Sequence, residues 1–131
     1  MEWTGSCLCG AVRFRTSADP QSVSYCHCKM CQRQTGAPVS AAACFPKGTV
    51  KWTSGSPKLY VSSPGVERGF CSECGSTLIW QSGEEICIKI GTLDHPESVK
   101  PDRHIWVANS LPWLHIDDKL PRYVGGPELP P

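Results

Sequence analysis

Between its glycines and prolines the chain alternates apolar and polar residues only over short stretches, the period-two pattern of strands with one buried face. In Ala11–Arg15, Val12 and Phe14 point one way, and Arg13 and Arg15 point the other. Val50, Lys51 and Trp52 precede the loop S-G-S-P and Leu59, Tyr60 and Val61 follow it, which predicts a hairpin. A second hairpin is predicted from Thr77–Gln81 and Ile86–Ile90 across S-G-E-E, with Ile86, Ile88 and Ile90 on one face. The only helix predicted is short, Lys29 to Thr35, with Gly36 placed to stop it. From Gly91 onward the pattern is loops with brief extended pieces such as Ile105-Trp106-Val107, and the closing G-G-P-E-L-P-P predicts a loose tail. The expected architecture is mostly β with one short helix: a single domain over residues 1–124 and a tail over 125–131.

Composition sharpens this picture. Twelve glycines and twelve prolines in 131 residues punctuate the whole chain, with no repeat, low-complexity block or linker dividing it. The length suits one compact domain, and 40% hydrophobic residues suffice for a core. A net charge of +1 provides no electrostatic footprint for nucleic acid or an anionic membrane. No apolar run is long enough to span a bilayer, and the opening M-E-W-T-G-S-C lacks the basic start and apolar stretch of an export signal. A cytoplasmic location is the expectation.

Nine cysteines change the argument from fold to chemistry. The number is odd and no export signal precedes it, so a full disulfide framework fits poorly and metal binding fits well. Cys7 and Cys9 form C-x-C, Cys26, Cys28 and Cys31 form C-x-C-x-x-C, and Cys71 and Cys74 form C-x-x-C followed by Gly75. Each spacing lets neighbouring thiolates converge on one ion, and a glycine after the knuckle lets the backbone fold back beneath the metal.

Four thiolates from Cys7, Cys9, Cys71 and Cys74 make a closed tetrahedral site, which is structural and ties distant parts of the chain together. Cys26, Cys28 and Cys31 supply three ligands, which leaves a position for water or substrate as in catalytic zinc sites. The alternative is a closed second site, completed by Cys44, Cys87, His27, His95, His104 or His115. Cys44 in A-A-A-C-F and Cys87 in I-C-I read instead as inert buried thiols, and His27, wedged between two ligands, as directed elsewhere.

Three thiolates make zinc a mild Lewis acid that suits a soft fourth ligand, a substrate sulfur held ionised. The expected chemistry is formation or cleavage of a carbon–sulfur bond. The combined H-x-E…P-C-x-x-C signature of nucleobase deaminases is absent, since no P-C-x-x-C occurs, as are G-x-S-x-G, H-E-x-x-H and G-x-x-x-x-G-K.

These blocks together resemble the glutathione-dependent formaldehyde-activating enzyme family, which includes centromere protein V. The resemblance runs through G-S-C-L-C-G-A-V-R-F, Y-C-H-C-K-M-C-Q-R-Q-T-G-A, R-G-F-C-S-E-C-G-S-T-L, G-T-L-D-H-P and H-I-W-V, over residues 5 to 124. It implies a β-tent-like zinc domain of coiled antiparallel sheets and two zinc ions per chain. Cys7, Cys9, Cys71 and Cys74 match the family's structural ligands, and Cys26, Cys28 and Cys31 its catalytic ones. The implied reaction joins glutathione and formaldehyde as S-hydroxymethylglutathione, a carbon–sulfur lyase in reverse. The rival reading is a non-catalytic zinc module that binds protein or nucleic acid. Gln32, Arg33 and Thr35 are candidates to touch a peptide-like thiol, though a solvated helix face explains them as well, and His104 and Trp106 are candidates to line the cleft. No residue stands out as a general base.

Overall fold

The computed structural model describes residues 1–126. Ten strands form two sheets. Strands β1 (Trp3–Ser6), β2 (Arg13–Thr16) and β5 (Lys51–Ser54) make an antiparallel three-stranded sheet in the order β1-β2-β5. The seven-stranded sheet runs β10 (Arg103–Ile105), β3 (Ser22–Cys26), β4 (Ser40–Pro46), β9 (Glu85–Lys89), β8 (Thr77–Ser82), β7 (Val66–Phe70), β6 (Lys58–Ser63). Its pairings are antiparallel except for β10 against β3.

The period-two pattern sets the faces. Val12 and Phe14 are buried and Arg13 and Arg15 exposed, so β2 turns its apolar side inward as its alternation predicts. On the large sheet, Val23, Ala43, Ile88 and Ile79 stand in one cross-strand row and belong to the core, with Phe45 and Ile86 paired in a second row beside it. The predicted hairpin of β8 and β9 forms, with Ile86 and Ile88 buried. Ile90 opens a 3-10 turn, Ile90–Thr92, and packs against the core.

The helix α1 (Lys29–Thr35) forms as expected. Its C-cap Gly36 takes the left-handed conformation at φ 68° and returns its N–H to the Gln32 carbonyl, a geometry that glycine adopts without Cβ strain.

Three expectations need correction. Residues 50–52 and 59–61 do not form a hairpin: β5 joins β2 in the small sheet, whereas β6 pairs with β7 at the edge of the large one. The S-G-S-P loop is therefore the crossing between sheets. The extended piece expected at 105–107 ends at Ile105: Trp106 is left-handed (φ 56°) and Val107–Asn109 is a 3-10 turn. Cys44 and Cys87 are not separate thiols but a disulfide. They are directly opposed on β4 and β9, so both side chains leave the same face of the sheet.

Gly125, placed in the tail by its composition, is buried, and its carbonyl accepts the Trp106 N–H. Residues 127–131 of that expected tail lie outside the described residues. Among the described residues no helix is long and apolar enough to cross a membrane.

Candidate metal centres

With two cysteines in the disulfide, the seven free thiols fall into two groups. The Sγ atoms of Cys7, Cys9, Cys71 and Cys74 all lie within 4.8 Å of one another. Cys7 and Cys9 follow β1 of the small sheet, and Cys71 and Cys74 follow β7 of the large one. The knuckle closes where Gly75 (φ 78°) donates its N–H to the Cys71 carbonyl. Cys7 and Cys71 are buried, whereas Cys9 is exposed.

The donor set fits zinc. Four sulfurs about 2.3 Å from a tetrahedral ion stand about 3.8 Å apart. The Cys7–Cys9 and Cys9–Cys71 sulfurs are separated by 3.6 and 3.8 Å. Thiols so close cannot all ionise unaided. Burial opposes ionisation of Cys7, but the Val12 amide and its neighbouring thiols lower it overall. The Ser76 hydroxyl and amide bring Cys74 down to about 5. Cys9, despite help from the Ala11 amide, is pushed up to about 12 by local desolvation of its sulfur and by the other thiols. A divalent cation removes this conflict by stabilising every thiolate together.

Cys26, Cys28 and Cys31 form the second group, with their sulfurs also within 4.8 Å. They come from the end of β3, the N-cap of α1 and its first turn. Cys28 caps the helix, its sulfur accepting the Cys31 N–H at 3.3 Å, and the Cys26 and Cys31 sulfurs are 3.4 Å apart. Hydrogen bonds from Cys26 and Cys28, aided against burial by the Lys89 charge and a hydrogen bond from Arg68, bring Cys31 down to about 2. The other two thiols, Cys28 foremost, push Cys26 far up. Again one site holds sulfurs that cannot ionise together without a cation.

No candidate for a fourth ligand joins this trio among the described residues. His27 turns away: its Nε2 lies 2.9 Å from His104 Nδ1, and His104 Nε2 lies 2.9 Å from an Asp118 oxygen. Since the Asp118 carboxylate only accepts, His104 donates to it from Nε2 and accepts at Nδ1 from His27. Burial, with the charges of His104 and Arg122, holds His27 below the ordinary histidine range. His95 and His115 are exposed, and Cys44 and Cys87 are bonded to each other.

The trio opens into a cavity of about 450 Å³. Its floor is the face of the large sheet opposite the core, where Ser24, Ala42 and Lys89 form one row and Ser22, Cys44, Cys87, Trp80 and Arg68 the next. Arg68 donates to Cys31 Sγ at 3.5 Å and to Gln34 Oε1 at 2.9 Å, both from Nη1. Lys89 is buried, donates to the Ser40 hydroxyl at 2.8 Å, and has its ammonium pushed down by burial while Cys31 pulls it back up.

Arg68 and Lys89 escaped the sequence reading. The available signal was a lysine inside the apolar run I-C-I-K-I, where both faces of the strand are buried.

The suggested helix contacts resolve differently. Gln32 donates to the carbonyls of His27 and Asn109, and Thr35 to that of Cys31, so both hold the loop and helix. Arg33 lines a separate cavity. Trp106 lines the cavity beside the trio, whereas His104 is buried behind it in the Asp118 chain.

The model of the glutathione-dependent formaldehyde-activating enzyme family matches residues 2–109. The chain belongs to that family. It is 36% identical over 77 residues to an uncharacterised lyase of Schizosaccharomyces pombe, a match covering 59% of this chain and 56% of that one. A Halomonas elongata protein named for glutathione-dependent formaldehyde activation is 30% identical over 129 residues, covering 88% of this chain and 81% of its own. A crystal structure of a Rhodobacter sphaeroides protein shares the fold at TM-score 0.60 and 24% identity, over 75% of this chain and 91% of that one.

Proposed function

We propose that this protein is a zinc-dependent carbon–sulfur lyase that interconverts S-hydroxymethylglutathione with glutathione and formaldehyde. The observation that carries this reading is the trio of thiols without a fourth protein donor, opening into a cavity of small-molecule size that also holds Arg68 and Lys89. The Cys7, Cys9, Cys71 and Cys74 group is read as a structural zinc site, and Cys26, Cys28 and Cys31 as the ligands of the catalytic one.

Zinc at the trio supplies a soft Lewis acid beside which a substrate sulfur stays ionised at neutral pH. The chain's own residues manage the charge. With zinc held by the trio, three protein thiolates and a substrate thiolate would carry two net negative charges, which the positive charges of Arg68 and Lys89 would offset. Arg68 holds the sulfur of Cys31 in place and is itself fixed by Gln34 and Ser62. Lys89 carries its protons at Nζ on the cavity floor, steadied by Ser40. Trp106 supplies an apolar wall to the cavity.

Magnetisation-exchange NMR between glutathione and its formaldehyde adduct tests the reading. The wild-type protein should accelerate exchange above the uncatalysed rate, and Cys28→Ser should return it to that rate. No acceleration by zinc-loaded wild-type protein, or full activity in Cys28→Ser, overturns it.

A further inference from the structure

The proposed lyase chemistry leaves one reactive bond in the cavity unused, the disulfide between Cys44 and Cys87. Cross-strand register places it on the cavity floor. Ala43 and Phe45 on β4, and Ile86 and Ile88 on β9, face the core, so the cysteines between them face the opposite way. Both cysteines line the cavity, and each keeps only 6% of its surface exposed. It stands four residues along β4 from Ser40, the partner of Cys26, a separation of roughly 13 Å at about 3.3 Å per residue. That distance keeps the disulfide apart from the metal-binding sulfurs while leaving both in one chamber.

The surroundings favour attack by an anionic thiol. Arg68, Lys89 and Arg103 all line the cavity, whereas Glu85 is its one carboxylate among the described residues. Glu85 lies within 4.8 Å of both sulfurs and comes to 3.8 Å of Cys87 Sγ, where a developing negative charge meets the carboxylate most directly. The departing sulfur is therefore that of Cys44, and the attacked sulfur is that of Cys87.

We propose that Cys44–Cys87 is a thiol–disulfide exchange site for small anionic thiols of the glutathione class. One thiol loses its proton and attacks Cys87 Sγ; the Cys44–Cys87 bond breaks, a mixed disulfide forms on Cys87, and Cys44 takes up a proton. A second thiol attacks the mixed disulfide, releases the oxidised small thiol and leaves Cys87 protonated. Two thiols are oxidised to one disulfide while one protein disulfide is reduced to two thiols, and the reverse needs only the oxidised small thiol. Opening the bond removes the covalent tie between β4 and β9, the strands that carry Ser40 and Lys89. The proposal requires the cavity and the disulfide but not the zinc-centred reaction.

The test incubates the native full-length chain in glutathione buffers of varied reduced-to-oxidised ratio, quenches with acid, alkylates, and weighs the peptides that contain Cys44 and Cys87. The bonded fraction should fall at least about tenfold between the oxidising and reducing ends. Glutathione should be found on Cys87 at intermediate ratios. A bond that survives reducing glutathione until denaturant is added overturns the proposal, as does finding both cysteines as thiols at the oxidising end. A folded protein dithiol, too large for the cavity, should act at least about tenfold more slowly than glutathione at equal thiol concentration; equal or faster reduction overturns the cavity route. Loss of formaldehyde–glutathione exchange in the NMR experiment would leave these results standing, so the two readings fail separately.

Discussion

Cys28 serves twice, as one of the trio and as the cap that accepts the Cys31 N–H. Serine keeps the cap but not the thiolate. Cys28→Ser should therefore lose one metal ion and its activity while unfolding within about 1 kcal/mol of wild type. Metal analysis beside a denaturant melt checks this, and retention of the full metal content would contradict it. Lys89→Met removes a positive charge from the trio's surroundings and strands the Ser40 hydroxyl, so metal retention there should weaken about 10–100-fold in chelator competition. Unchanged retention would deny Lys89 its charge-balancing role. The seven clustered thiols were legible because their spacing is local. Arg68 and Lys89 were not: β9 and β7 lie two and four strands from β3, and only tertiary packing brings Arg68 to Cys31 on α1 and Lys89 to the cavity floor.

Helix α1 was readable from Lys29 to Gly36 because its stop signal is a backbone property of one residue. Gly36→Ala should cost about 1 kcal/mol, visible as a lower melting temperature, because alanine must adopt the left-handed conformation. The strand pair around S-G-S-P was misread for the opposite reason: turn chemistry is local, but the sheet each strand joins is not. The same non-locality hid the disulfide, since nothing near Cys44 or Cys87 in sequence announces that β4 and β9 are neighbours.

The stretch after β10 also conceals a device. Asp118 anchors His104, which holds His27 and with it the loop between Cys26 and Cys28. The hydrogen bond from His104 lowers the Asp118 carboxyl below its ordinary value. Its contribution to stability is complete above the unfolded carboxyl value of about 3.9 and disappears as pH falls through the lower folded value. Asp118→Asn should flatten this acid limb of the stability profile; an unchanged limb would show that the chain does not brace the loop.

For the whole molecule, the four-cysteine group sits where the two sheets meet, fed by β1 from one and β7 from the other. An ion there closes a long loop and constrains the unfolded chain. Stripping metal with a strong chelator should abolish cooperative unfolding, and Cys74→Ser should do the same even with zinc present. A fully folded Cys74→Ser protein with an unchanged melt would contradict the structural assignment. Mostly-β architecture and the two thiol groups could be read directly, but the shared cavity could not: it exists only because one face of the large sheet carries cysteines, serines and two cations in place of a second apolar layer.

The most direct test of the account is zinc content per chain combined with the zinc X-ray absorption spectrum, with and without glutathione. The account predicts two zinc ions, one set of four protein sulfurs indifferent to glutathione and one site that gains a sulfur when it arrives. Two ions that both ignore the thiol, or a single ion bound at Cys7, Cys9, Cys71 and Cys74, would contradict an open thiol-receptive centre at Cys26, Cys28 and Cys31.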